Sequence, residues 1–363
     1  MKQNVLICPL YWGTGHATRM AALALKMMEK DFRIIVAAPG PLLSIYNNLP
    51  VEITVIKFRS YEPRYPLWIN LSISLLFQLP VMLFQYFADI LRTGAIIRKY
   101  EIDIILSDNR FGCYSKKIHS VYITHQLNIM SPFRKGSVSR FLSFIHRHII
   151  KRYDECWIPD MPGEQNLSGQ LSHPARPGIP YRYIGILSHL AVAIPSKPEE
   201  LPDGPFHLLI LSGPEPMKSH FEKAVISIYS GRYEKLVISG SGLTGSEPSI
   251  TGDLNNITRY GYIDPSKVKY LMEECERIIC RPGYSTVMDL ISAGKRALLV
   301  PTPGQPEQEY LASYLSEGGL FSYQLQKDLD YKSIEMSAGK LAVYHLAEDS
   351  GKLAMEALDD LPK

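Results

Sequence analysis

The chain has 363 residues, more than one hydrophobic core usually supports, so two domains of ordinary size with a cleft between them are expected. With 46% hydrophobic and 21% charged residues it is a globular sequence, which excludes the disordered and fibrous classes. The net charge of +3 hides a split: residues 1–190 carry 22 Lys and Arg against 12 Asp and Glu, net +10, whereas residues 191–363 carry 17 against 24, net −7. Such asymmetry turns the first half toward something anionic, lipid headgroups or nucleic acid. With no aromatic-basic platform or recognition helix in view, nucleic acid ranks last.

The chain starts directly on an apolar run, Val5-Leu6-Ile7-Cys8-Pro9-Leu10, with no cleavable small-residue site before it. A helical pattern follows from Ala17 to Lys30, then a short apolar run from Arg33 to Ala38 and another from Ile102 to Ser107. Alternation of this kind predicts βαβ units and a parallel sheet. Between the first two elements lies Gly13-Thr14-Gly15-His16-Ala17-Thr18-Arg19. Glycines at a strand-to-helix turn let the backbone approach a ligand closely, which makes Gly13 and Gly15 candidate contacts. His16 at the helix start meets the positive end of the helix dipole, which favours a neutral imidazole able to accept a proton. Asp108, in Leu106-Ser107-Asp108-Asn109-Arg110, ends the strand at Ile102–Ser107, and His125 ends a later apolar run.

Two stretches bear on membranes. No charged side chain occurs between Leu67 and Ala88, yet Asn70, Ser72, Ser74, Gln78, Pro80 and Gln85 interrupt the run, which reads as buried helix ahead of a lipid-facing surface. From Phe133 to Arg152, Val138, Phe141, Leu142, Ile145 and Ile149 fall at helical spacing among Arg134, Lys135, Arg140, Arg147, Lys151 and Arg152. That pattern is either a basic amphipathic helix at a membrane surface or a solvated helix with a core face.

Residues 191–205 are too rich in proline and charge to be an element and read as a linker. Beyond it the alternation restarts, with strands at His207–Leu211, Leu236–Ser239, Arg277–Cys280 and Ala297–Val300. The fold class is therefore α/β, two Rossmann-like doubly wound domains facing a cleft. Directly after Cys280 stands Arg281-Pro282-Gly283-Tyr284-Ser285-Thr286-Val287-Met288-Asp289. Gly283 allows an unusual turn, Ser285 can cap the helix that follows to about Ala293, and the first-turn N–H groups suit a diphosphate. Asp289, one turn on, can accept from two ribose hydroxyls. Ser212-Gly213-Pro214-Glu215-Pro216 follows another strand; two prolines remove donors, leaving Ser212 and Gly213 as contacts. Asp328-Leu329-Asp330 spells a D-x-D metal motif but reads as a polar turn before a helix at Tyr331. No metal and no cofactor are expected. The five cysteines are scattered, odd in number and without metal-ligand spacing, which points to a reducing, cytoplasmic compartment.

From Gly261 to Leu315 the sequence resembles the donor half of the MurG-like UDP-N-acetylglucosamine transferases, which have the GT-B fold. The family's aromatic-Ile-Asp segment, which meets the uracil, matches Tyr262-Ile263-Asp264. Its R-x-G-x-x-T-x-x-E signature matches Arg281, Gly283 and Thr286, with Asp289 in place of the ribose-binding Glu. Its paired glutamines at the sugar match Gln308 and, with a departure, Glu309. The whole order of motifs is similar to a group of predicted bacterial glycosyltransferases with a G-x-G-H-A-T-R opening.

The resemblance implies an inverting glycosyltransferase that moves a sugar, N-acetylglucosamine in the nearest family, from a UDP-sugar substrate to a cell-envelope glycan or lipid-linked acceptor. It implies donor binding in a C-terminal domain at 206–345 and acceptor binding in an N-terminal domain at 1–190, with a helix at 346–363 packing back on the latter. In related enzymes a histidine at the first turn pairs with an aspartate from a later strand end, so His16 and Asp108 become the catalytic candidates. The expected location is the cytoplasm, peripheral at the inner face of the membrane. A nucleotide-sugar hydrolase or 2-epimerase would use the same donor pocket, and a non-catalytic cell-envelope assembly protein would tolerate loss of His16.

Overall fold

The computed structural model describes residues 2–49, 51–61, 71–131, 136–240, 249–250, 256–261, 263–337, 339, 341 and 344–362, with backbone alone for 71–76, 249–250 and 344–348. The chain forms two compact units, one of residues 1–64, 69–187 and 345–363, the other of 65–68 and 188–344.

In the first unit the elements are β1 (Gln3–Pro9), α1 (Gly15–Met27), β2 (Phe32–Ala38), α2 (Leu43–Asn47), β3 (Thr54–Lys57), α3 (Leu71–Tyr100), β4 (Ile104–Asp108), β5 (His119–Ile123), α4 (Gly136–Ile150), β6 (Glu155–Ile158) and β7 (Tyr181–Tyr183). The strands form one sheet in the order β3-β2-β1-β4-β5-β6-β7, every neighbouring pair parallel. Val5 to Cys8, Ile104 to Leu106 and Val121 to Ile123 are buried, as strands covered on both faces must be. The strand order reverses between β1 and β4, so the loops leaving their carboxyl ends diverge and open the crevice in which such sheets bind ligands. Pro9 lies opposite Asp108 at that edge.

The second unit holds β8 (Phe206–Ile210), α5 (Met217–Tyr229), β9 (Lys235–Ser239), β10 (Ser249–Ile250), β11 (Ile257–Arg259), α6 (Pro265–Glu274), β12 (Arg277–Cys280), α7 (Tyr284–Ser292), β13 (Leu298–Leu299), α8 (Pro306–Glu317), β14 (Ser322–Tyr323) and α9 (Tyr331–Glu335). Its sheet runs β10-β11-β9-β8-β12-β13-β14, with only the β10 edge antiparallel. Here the switch lies between β8 and β12, where Ile210 pairs with Cys280. A core of Leu209, Phe221, Val225, Ile238, Ile279 and Val300 joins α5 to the sheet.

The expected α/β architecture is present in both units. The uncharged stretch before Ala88 departs from its expected form. It belongs to one helix that continues to Tyr100 with Pro80 inside it, residues 67–70 lying outside the described set. Its described side chains are not a core face: Phe77, Phe84 and Leu91 are 75%, 72% and 76% exposed, while Asp89 and Thr93 point inward. The reading as buried helix is thus corrected. Asp89 is buried because Arg110 donates to it from Nε at 2.8 Å and from a terminal nitrogen at 3.1 Å. On α4, likewise, Phe141, Phe144 and Ile145 are exposed, and the buried positions are Ser143, His146 and Ile150. Of the two readings open for that helix, an ordinary core face is met only in part, through Ile150 in the core with Tyr122 and Tyr153; Phe133 to Lys135 are not described. Among the described residues no helix is long and apolar enough to cross a membrane.

The last helix, α10 (Tyr344–Asp359), counts with the first unit from His345 onward and buries Ala354, Ala357 and Leu358. Its seat is Gly185, at φ +71, where an added Cβ would stand 2.4 Å from Ser350 Cα. Gly163, at φ +85, has open space instead. Alanine at 163 should cost about 1–2 kcal/mol of stability for the left-handed backbone alone. Alanine at 185 should cost more, because backbone must also move. Urea denaturation of both variants checks this; equal losses would mean that α10 does not rest on Gly185.

Candidate functional site

At the first unit's switch point the β1–α1 turn is made by Gly13, at φ +89, a conformation that L side chains rarely adopt. The turn delivers Gly15 and His16 as the first two residues of α1. Asp108 closes β4 across the crevice, fully buried, with its Oδ2 3.1 Å from His16 Nδ1. The two candidates are therefore adjacent, although 92 positions separate them in the sequence.

Two further side chains complete the cluster. Arg19, one turn beyond His16 on α1 and 1% exposed, donates from Nε to Asp108 Oδ2 at 2.7 Å and from a terminal nitrogen to Oδ1. That terminal nitrogen is also 2.8 Å from His16 Nδ1, and the other is 3.0 Å from His125 Nδ1. Arg19 was not singled out in the sequence, although its place among the apolar residues Ala17, Met20, Ala21, Leu23 and Ala24 was a readable signal. A charge on the inward face of a helix needs a partner.

Burial works against the carboxylate of Asp108, but the Arg19 guanidinium and then His16 overcome it and hold the group down at about 2. Burial also lowers His16; Asp108 opposes, and Arg19 adds to the lowering. The direction is the one read from the helix start. Burial and the guanidinium supply it.

In the second unit, the loops after β8 and β12 flank the switch point. Ser212 and Gly213 follow the first, Gly213 at φ +95. After the second comes α7, with Gly283 as N-cap at φ −69 and ψ 135 and no side chain capping the helix. Two expectations are corrected here. Gly283 has ordinary extended geometry, and Ser285, the second helical residue, is not the cap. A Cβ at Gly283 would meet Thr286 Oγ1 at 3.6 Å, an ordinary contact, so neither backbone strain nor crowding requires glycine here.

Arg281 differs from its expected ligand role. It is 1% exposed, lies over the Phe221 ring, and donates to the carbonyls of Val300 and Pro301 at 2.9 Å each and to Gln326 Oε1 at 2.6 Å. It shapes the loops from within, and burial lowers its guanidinium to about 10. Gln308 accepts from Thr302 N at 2.8 Å and Glu309 from Gly304 N at 3.0 Å, so both hold the loop at 301–305. Asp289 Oδ1 accepts from Ser188 Oγ at 2.5 Å, and His189 Nδ1 is 3.7 Å away. Burial raises Asp289 and lowers His189, each opposing the other's shift, so both are driven toward neutrality. Nothing in the sequence marked Ser188 or His189.

Ile263 is buried beside Asp264, whose carboxylate caps α6 through Ser266 N and Lys267 N; Tyr262 lies outside the described residues. Asp330 caps α9 through Ser333 N. Among the described residues no group of three His, Cys, Asp or Glu side chains is placed to hold a metal ion.

Removing the charge at 108 while leaving Arg19 buried should destabilise the fold by about 3–5 kcal/mol, the usual cost of breaking a buried pair. Asp108→Asn measured against wild type by chemical denaturation tests this; a loss under about 1 kcal/mol would mean that water reaches Arg19 freely.

The chain's relatives accord with this layout. Residues 194–356 match the glycosyltransferase family 28 C-terminal domain. Two curated relatives carry the same name, UDP-N-acetylglucosamine–N-acetylmuramyl-(pentapeptide) pyrophosphoryl-undecaprenol N-acetylglucosamine transferase. The one from Caldanaerobacter subterraneus is 27% identical over 119 residues, 30% of this chain and 32% of the relative. The one from Thiobacillus denitrificans is 38% identical over 81 residues, 22% of each. The chain thus aligns with about a third or less of these relatives' length. Among solved structures, the glycotransferase of kitacinnamycin superposes with a TM-score of 0.66 at 12% identity, covering 99% of this chain and all of that one. Residues 194–356 are therefore similar to the family 28 C-terminal domain, in a chain built as two parallel-sheet α/β domains, the GT-B fold of its structural neighbours.

Proposed function

We propose that this protein is an inverting glycosyltransferase that moves a sugar from a UDP-linked donor to a cell-envelope glycan or lipid-linked acceptor, with N-acetylglucosamine as the sugar. The observation that carries the reading is the family 28 C-terminal domain match, which spans the side-chain-free start of α7 at a switch point. First-turn N–H groups and the helix dipole stabilise the leaving diphosphate there without a metal. Asp289, one turn along the helix, is the ribose partner, and Gln308 with Glu309 face the sugar.

In the first unit His16 is the base that takes the acceptor hydroxyl's proton, and Asp108 stabilises the imidazolium that forms. Incubation with UDP-N-acetylglucosamine and lipid-linked glycan acceptors, scored by UDP release, tests the scheme. His16→Ala should keep UDP affinity and lose roughly a hundredfold or more in turnover. Asp289→Ala should weaken UDP binding by about 1.5–3 kcal/mol in calorimetry, and EDTA should change neither property. Near-normal turnover in His16→Ala would remove the base, unchanged UDP affinity in Asp289→Ala would remove the ribose contact, and loss in EDTA restored by Mg²⁺ would remove metal independence.

A lipid-linked acceptor would bring the first unit to an anionic membrane. Supporting this, the exposed apolar side chains of α3 and α4 accompany exposed Arg140, Lys151 and Arg152, and Arg152 donates to Tyr114 and to Tyr86 of α3. Apolar burial and attraction to anionic headgroups would act together. The protein should therefore pellet with vesicles rich in anionic lipid, less with neutral ones, and less again as salt rises. Phe84→Ser with Phe141→Ser should abolish the pelleting; equal failure to bind either vesicle would leave these helices without a lipid role.

A further inference from the structure

The geometry around Arg19 contains a competition that a His–Asp pair alone would not have. A guanidinium has donors and no acceptor. Where Arg19 donates to Nδ1 of His16 and of His125, each ring must offer a lone pair at that atom, and each neutral ring then carries its proton on Nε2. The same Nδ1 of His16 stands 3.1 Å from Asp108 Oδ2. One nitrogen cannot accept from Arg19 and donate to Asp108 at once. A protonated His16 has to turn an Nδ1–H toward Asp108 and against the facing N–H of Arg19.

We propose that Arg19 is a positioning residue for the proton-transfer step: by engaging Asp108 and Nδ1 of His16 together, it keeps His16 unprotonated in the resting site and sets His125 in the same tautomer. This rests on the reading of His16 as the base. Asp108 and Arg19 neutralise each other, so the cluster is uncharged while both rings are neutral, and adding a proton creates a net charge in a buried place. The groups packed around it do not supply a counter-charge. Tyr46 of α2, which donates to the Ala17 carbonyl, Tyr122 of β5 and Cys8 of β1 are all driven by burial well above their ordinary values and stay protonated. Among the described residues Asp108 is thus the carboxylate that draws a proton onto His16, and Arg19 already occupies both of its oxygens.

The consequence for turnover has a definite sign. Without the guanidinium, Asp108 has His16 as its partner and stabilises the imidazolium, so the base is already protonated at neutral pH. Activity then falls there and returns as pH rises. With Arg19 in place, the base form persists to lower pH than an ordinary histidine allows.

Histidine-ring 1H–15N correlation NMR of the full chain reads these states without any substrate, with His16→Gln and His125→Gln variants assigning the signals. In the wild type both neutral rings should carry the proton on Nε2, and the His16 midpoint should lie below that of a free histidine. Arg19→Met should move the His16 midpoint upward and put a proton on Nδ1. Arg19→Lys, which keeps the charge but cannot reach both rings, should hold His16 low and release His125. A neutral wild-type His16 protonated on Nδ1, or a midpoint that does not move in Arg19→Met, overturns the proposal. If Arg19→Met does not fold, the wild-type tautomers and Arg19→Lys decide it. Turnover of His16→Ala is a separate reading: normal turnover there removes the base and leaves the tautomers standing, whereas wrong tautomers remove Arg19's role whatever the turnover.

Discussion

Two opposite charges, both shut away from water, meet at the carboxyl edge of β1 and β4, and the first unit is arranged around them. Isolating either would cost several kcal/mol, and their attraction repays this only when the geometry is tight and the remaining donors are used. Here the guanidinium takes both carboxylate oxygens and spends two further N–H groups on two imidazoles. Helix α1 must enter at one angle for Arg19 to reach Asp108, and the Gly13 turn makes that entry possible. The histidines are fixed as a consequence of the pair.

The second unit repeats the device with a different outcome. Arg281 is as buried as Arg19 but has no carboxylate; main-chain carbonyls, Gln326 and the face of Phe221 receive it. Its work is to hold the ends of β12 and β13 and the loops that leave them, so that the start of α7 is presented at the switch point. Gln308 and Glu309 brace the neighbouring loop in the same way. Arg281, Gln308 and Glu309, each read from the sequence as a ligand contact, thus also hold the loops around the start of α7.

Over residues 77–93 of α3 and most of α4 the usual rule is reversed, although Ile96 and Ile150 pack into the core. Their polar residues face inward, Asp89 with Arg110 and His146 with Tyr122, and their aromatic residues face out. The charged part of that interior is held by pairing, Arg110 donating twice to Asp89. An apolar exterior on two neighbouring helices exceeds the scattered exposure that soluble surfaces normally carry. Exposed Arg140, Lys151 and Arg152 beside it are part of the +10 charge of the first 190 residues.

By itself the sequence determined the alternating α/β architecture, because period-2 and period-3.6 apolar patterns are local, and strands such as Arg277–Cys280 lie where the pattern puts them. It also marked His16, Asp108 and the segment from Arg281 to Asp289, since each sits at a strand end or helix start that local rules identify. It misjudged the uncharged stretch of α3 as buried and left α4 open between two faces, because periodicity gives a stripe but not its direction. Gly283 and Ser285 were misread because a glycine's φ and a cap's identity follow from where the preceding strand ends. Only the tertiary structure could bring Arg19 onto Asp108 and His125, or Ser188 onto Asp289: these contacts span 89, 106 and 101 positions. Their existence depends on strand order in the sheet, which local patterning does not encode, and on the need of every buried charge for a partner.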